Sequence, residues 1–208
     1  MAKPSKIQAQ RRKDLTMSRL KDLTENAPIH KREIEIRTYS LEDEKLLIEG
    51  WLKDERFIPG YRWDGQPRPA GVVHRLCVRL LVGGRPLSIL DIEAEMLDVP
   101  HELCPTTLDS VKRIIGLPIA SGYSEAVHKR LGGVQGCTHL THLITTMGPA
   151  ALHGYWTQRS RRRRPLPRSL EELPGAGAII NSCSLWREDG PLVRNVRETL
   201  KMRNKKAT

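Results

Sequence analysis

Residues 72–97 constrain the fold of this chain most, because apolar and polar residues alternate on both sides of the pair Gly83-Gly84. A period of two is the pattern of a half-buried strand, and adjacent glycines suit the positive φ angles of a tight hairpin turn. The first arm, residues 72–82, places His74, Leu76, Val78 and Leu80 on one face and Arg75, Cys77 and Arg79 on the other. The second arm, residues 86–97, turns Leu90, Ile92, Ala94 and Met96 inward and leaves Asp91, Glu93 and Glu95 as solvated edge residues. His74 is therefore expected on the core side and Cys77 away from it. Upstream, Ile34 and Ile36 followed by Leu46, Ile48 and Leu52 predict another strand pair. The intervening turn-rich residues 59–67 carry Tyr61 and Trp63 and are expected to fold back over the sheet or over a site.

Beyond the hairpin the apolar period becomes helical. Pro105 suits a first helical turn, Leu108, Val111 and Ile115 form a stripe, and Gly116 closes it. Ser124 is placed to cap a short helix running through Val127 and Leu131 to Gly132-Gly133. A third helix opens at Cys137, with Leu140, Leu143, Ile144 and Met147 facing inward. Strands followed by helices predict an α+β fold, an antiparallel sheet of hairpins with about three helices packed on one face. The expected core domain is residues 32–158. Residues 1–31 read as a basic, largely disordered arm with a fraying helix near residues 15–20, and residues 159–208 as a basic linker and C-terminal extension with an edge strand at 178–186.

The formal net charge of +11 raises the question of nucleic acid. The excess lies in residues 3–21, 159–168 and 201–206, and no aromatic residues interleave with these runs to stack bases. Solvated arms are the expectation, and nucleic acid is not expected as the main partner. No run of about eighteen apolar residues suggests a membrane span, and the N-terminus lacks a signal-peptide pattern. A cytoplasmic protein is expected, whose four cysteines are reduced thiols or ligands rather than a disulfide framework.

Chemistry concentrates in two places. Gly136-Cys137-Thr138-His139-Leu140 sets a thiol and an imidazole at a helix start, and His101-Glu102-Leu103-Cys104-Pro105 repeats the combination. A cysteine there faces unpaired N–H groups and the positive end of the helix dipole, which favours the thiolate for metal binding or nucleophilic attack. His74, Cys104, Cys137 and His139 are thus candidate metal ligands, with His101 and Cys183 as secondary ones. His142 falls off the buried stripe and reads as a surface residue; His128 and His153 receive no role.

The order Ile48-Glu49-Gly50, His74-Arg75, Asp91-Ile92-Glu93-Ala94, Pro100-His101-Glu102-Leu103-Cys104, Leu131-Gly132-Gly133 and Gly136-Cys137-Thr138-His139-Leu140 resembles a bacterial family catalogued as domain of unknown function 2889. The resemblance spans roughly residues 34–158, with a trace at Asn181-Ser182-Cys183 and Asp189-Gly190. The family pattern has Cys-His where this chain has Cys183-Ser184, which removes a ligand role from position 184, and it has a Gly-Tyr-Arg-Arg-like element where Thr38-Tyr39-Ser40-Leu41 stands. The layout is also similar to iron–sulfur scaffolds of the NifU/IscU type. That likeness implies Cys104 and Cys137 in the places of two scaffold cysteines and His74 in that of the strand cysteine.

The leading expectation is a protein with a His/Cys site for Zn or Fe, an enzyme on a small organic substrate whose reaction is unassigned. The alternatives are a carrier or scaffold that passes a metal or an iron–sulfur cluster to an accepting protein, and a nucleic-acid-binding protein acting through its basic arms.

Overall fold

The computed structural model describes Leu20, Thr24 and residues 27–161, 167–173 and 175–206. Most of the N-terminal arm, including the expected fraying helix apart from Leu20, and residues 162–166 of the arginine run lie outside the described residues. The alternating segments build an antiparallel meander. Strand β1 (His30–Ser40) pairs with β2 (Leu46–Arg56), the two-residue strands β3 (Gly60–Tyr61) and β4 (Pro67–Arg68) form a separate small ribbon, and β5 (Gly71–Gly83) and β6 (Ser88–Asp98) complete a sheet of order β1-β2-β5-β6. A 3-10 segment, Cys104–Ile114, leads to α1 (Tyr123–Leu131), the long α2 (Thr138–Ser160), the short α3 (Ala176–Ile179) and α4 (Pro191–Lys206). Helix α2 packs across β1, β2 and β5. The fold is α+β, with helices laid on one face of the antiparallel sheet.

The core is the meeting of that face with α2. Leu46, Ile48 and Leu52 of β2, and Leu76, Val78, Leu80 and Val82 of β5, are buried against Leu140, Leu143, Ile144 and Met147 of α2. Full burial of each such side chain contributes about 2 kcal/mol relative to exposure. The basic C-terminal run ends as part of helix α4.

Several local expectations are corrected. The β5–β6 turn runs through residues 84–87: Gly83 still pairs with Ser88 in the ladder, and only Gly84 takes a positive φ, of 85°. Leu90 is exposed and Ile89 occupies its expected core position, because a register shift after Leu81 inserts one unpaired residue and reverses the facing at that end of β6. Ile114, not Ile115, continues the stripe from Leu108 and Val111. The segment winds with three residues per turn, so the buried face repeats every third position. Helix α1 begins at Gly122 in the left-handed conformation, with no side-chain cap from Ser124. Tyr61 and Trp63 are 80% and 92% exposed, so neither aromatic ring covers the sheet or a site. The chain at 178–186 forms the end of α3 and successive turns instead of an edge strand.

Cys77 does stand on the face away from the helices, yet it is fully buried. It lies on a central strand between Trp51 and Glu95, beside a cross-strand row in which Arg79 bonds both Glu49 and Glu95. Burial pushes its thiol pKa up to about 11.

Helix α2 touches α1 through a glycine. A Cβ at Gly148 would lie 2.3 Å from the Tyr123 ring, and that ring is pinned by its hydroxyl donating to the Ile144 carbonyl at 3.0 Å. Gly148→Ala should therefore destabilise the fold by about 1–3 kcal/mol, the usual range for an overpacked contact. Gly177→Ala, in open space on α3, should cost nothing. Urea unfolding of the two variants checks this; equal stabilities would show that the α1–α2 contact is not as tight as described.

Candidate functional site

The helix-facing side of the sheet ends in a polar row. The register sets Arg32 of β1, Asp54 of β2 and His74 of β5 side by side, one step of two beyond the apolar row Ile34, Leu52 and Leu76. Regular β2–β5 pairing shifts just after Asp54. Such irregularities often re-aim side chains at sheet ends and next to sites. Asp54 is only 3% exposed, and a buried carboxylate persists in ionised form only with partners. Arg32 provides two: its Nε donates to Oδ1 at 2.6 Å and its Nη2 to Oδ2 at 2.7 Å. His74 Nδ1 lies 3.0 Å from the same Oδ2. An ionised carboxylate only accepts, so Nδ1 carries the imidazole proton here and Nε2 keeps its lone pair.

The next partner comes from the start of α2. Gly136 passes so close to its neighbours that a Cβ there would lie 2.8 Å from Ser110 Oγ and 3.0 Å from the Leu131 carbonyl oxygen. Cys137 is the N-cap residue and makes no side-chain capping bond. Buried Thr141 fixes the first turn, with Oγ1 3.0 Å from the Leu131 carbonyl and 2.9 Å from that of Cys137. This holds His139 over the polar row. Its ring centroid is 3.8 Å from that of His74 at a 32° tilt, and its Nε2 is 3.6 Å from Asp54 Oδ2. On its other side Nδ1 lies 3.9 Å from Cys137 Sγ. His30, half exposed, brings its Nε2 to 3.5 Å from Asp54 Oδ1.

The electrostatics favour one charge state. Burial opposes ionisation of Asp54, but the Arg32 hydrogen bonds and charge, with help from His74 and His139, outweigh it and hold the carboxyl below its usual range. His74 is lowered by burial, which the nearby Asp54 charge only partly offsets. His139 is lowered by burial first, then by His74 and Arg32. The site thus combines an ionised carboxylate, already paired with a guanidinium, and two neutral imidazoles. One ligand atom from each of Asp54, His74 and His139 lies within 4.8 Å of the other two, a spacing that makes this a possible metal-binding triad.

Of the residues singled out from sequence, the fold brings His74 and His139 into contact and places Cys137 beside His139. Cys104 begins the 3-10 segment and, with His101 and Arg62, lines a separate open cleft of about 770 Å³. Cys183 is exposed in the turns after α3. Among the described residues, the converging group of His, Cys, Asp and Glu ligand atoms contains no cysteine. Sequence reasoning missed Asp54 and Arg32. The signal for Asp54 was present: it shares the parity of Leu46, Ile48 and Leu52 and is therefore a charge at an inward position.

The model of a family described as a protein of unknown function, DUF2889, matches residues 30–153, and the chain belongs to that family. No curated protein and no solved structure matches. Among the described residues no helix is long and apolar enough to cross a membrane.

The depressed histidines make a pH prediction for the metal-free protein. A group whose folded pKa lies below its unfolded value adds stability above the unfolded pKa and loses it as the pH falls through the folded one. Unfolding free energy should therefore decline as the pH drops below about 6.5, the ordinary histidine value, before carboxylates titrate. In His74→Gln/His139→Gln the decline in that range should be shallower. Urea titrations at a series of pH values measure this, and identical profiles for the two proteins would contradict the assigned charge states.

Proposed function

We propose that Asp54, His74 and His139 hold a single Zn or Fe ion and that the protein is an enzyme acting on a small organic substrate in the cytoplasm. The observation that carries this reading is the convergence of two neutral imidazoles on an ionised carboxylate from three separate elements, β2, β5 and α2. Metal binding requires deprotonated ligands, and all three groups meet that condition near neutral pH. Two histidines and one carboxylate leave coordination positions open, the pattern associated with non-haem Fe(II) and with catalytic zinc. A bound ion would polarise a carbonyl or activate water. With Arg32 already balancing Asp54, the ion's charge would remain largely uncompensated, which favours hydroxide or an anionic substrate. The absence of cysteine from the converging group favours a single ion over an iron–sulfur cluster and its transfer to an accepting protein.

Protein purified without an affinity tag, anaerobically for iron, should bind Zn or Fe(II) stoichiometrically. His74→Ala and His139→Ala should each weaken binding by about tenfold or more. Calorimetric titration and metal analysis test this, and binding no stronger than that of the double variant would overturn it.

A second reading rests on the Cys137–His139–Asp54 line, with 3.9 Å from thiol to Nδ1 and 3.6 Å from Nε2 to carboxylate. That sequence of groups is suited to thiol activation by an oriented imidazole, with Cys137 as nucleophile. Under it, Cys137 alkylates faster than Cys77, and His139→Ala slows Cys137 without changing Cys77. Equal rates in the wild-type protein would remove this reading; protection of Cys137 by added Zn or Fe(II) would place the thiol beside the ion of the first.

A further inference from the structure

The polar row is not the end of the sheet. One cross-strand position further, on the same face, His30 of β1 stands opposite Arg56 of β2. Beyond it the chain turns away through residues 57–59. Between this last pair, the turning segment and the displaced Val73 of β5 lies an open cleft of about 400 Å³, one wall of which is Asp54. The other walls are mainly hydrocarbon, from Ile29, Ile58, Pro59 and Val73.

The charge balance of this cleft is uneven. Asp54 is neutralised by Arg32, and neighbouring Glu55 is paired with Lys53. Arg56 lines the cleft, and its Nε is buried without a hydrogen-bond partner among the described residues. That N–H is closed to the cleft as it is to water; what Arg56 offers the cleft is a guanidinium charge that no ion pair or side-chain hydrogen bond balances among the described residues. Guanidinium is also the group best matched to a planar carboxylate, through two parallel hydrogen bonds. An unbalanced cation at one wall, the already paired Asp54 and His30 beside it, and hydrocarbon from Ile29, Ile58, Pro59 and Val73 opposite define a ligand with an anionic head and an apolar body.

We propose that this cleft binds a small organic carboxylate, with its head on Arg56 and its apolar body against Ile29, Ile58, Pro59 and Val73. The ligand lies against Asp54 on the side of His30, adjacent to the His74–His139 pair. As a substrate assignment this rests on the reading of the Asp54 cluster as a reactive centre; as a binding site it requires no metal.

The test uses the full chain, once stripped with chelator and once supplemented with Zn, and the probes hexanoate and benzoate beside their neutral counterparts hexanol and benzyl alcohol. Ligand-observed NMR and calorimetry should show binding of the carboxylates and not of the alcohols. Arg56→Gln should weaken carboxylate binding about tenfold or more, as loss of a hydrogen bond to a charged group does. Arg56→Lys, which keeps the charge, guards against a folding failure and should retain part of the affinity. Ile58→Ser should weaken hexanoate more than acetate, a short-chain carboxylate added as a further probe for this variant. No carboxylate binding at millimolar concentration, binding unchanged in Arg56→Gln, or equal binding of the alcohols would overturn the proposal. Carboxylate binding by stripped protein that takes up no metal would uphold the cleft and remove the metal centre; metal uptake without carboxylate binding would do the reverse.

Discussion

The two-pronged bond from Arg32 to Asp54 is the interaction on which the polar end of this structure depends. It lies at the edge of an apolar interface, where an unpaired carboxylate would take up a proton or draw water into the core. Paired with the guanidinium, Asp54 stays ionised beneath the start of α2. In that state it fixes the proton of His74 on Nδ1 and leaves the opposite nitrogen free to act. It also gives His139 a carboxylate neighbour without requiring that imidazole to be charged. The pair is thus less a source of stability than the reason that two uncharged imidazoles can face each other at the end of a hydrophobic core.

The arrangement is held by rigid elements throughout. His74 is carried on a central strand, Asp54 on its neighbour, and His139 in the first turn of a helix seated on both. The seat is apolar: Leu140, Leu143 and Met147 of α2 meet β2 and β5, and the Tyr123–Gly148 contact fixes α2 against α1. The string Gly-Cys-Thr-His-Leu divides its work accordingly. Gly136 allows close passage by Ser110, Cys137 holds the N-cap position with its thiol free of any capping bond, Thr141 just beyond ties the turn back to Leu131, Leu140 enters the core, and His139 is left pointing at the carboxylate. Chemistry placed on elements fixed by packing needs little reorganisation to function.

Much of this was legible in the residues. Alternation marked β5 and most of β6, the switch of period marked the helices, and the buried stripe of α2 followed from its spacing, so the meeting of His74 with the helix layer was foreseeable. What was hidden arises from single-residue irregularities and tertiary choices. The bulge that turns Leu90 out and Ile89 in is marked only by the adjacent apolar pair Ile89-Leu90, which does not by itself say which of the two is buried. Whether the segment after Cys104 winds at 3.0 or 3.6 residues per turn shifts the stripe by one residue, from Ile115 to Ile114, and local propensity does not decide between them. Asp54 was missed for a different reason: its inward parity was legible, but a charge at the end of a strand ordinarily marks the edge of the core, and the register with Arg32 and His74 is what gives it a role.

The central claim is that His74 and His139 form one unit around an ionised Asp54, neutral at physiological pH and open to a metal ion. Side-chain nitrogen NMR of the full chain, with histidines labelled and followed across pH before and after addition of Zn, addresses it most directly. The account predicts that both imidazoles titrate below the ordinary histidine range, that His74 shows the Nδ1–H tautomer, and that the two shift together when Zn is added. Independent titration of both rings at ordinary values, with no response to Zn, would contradict it.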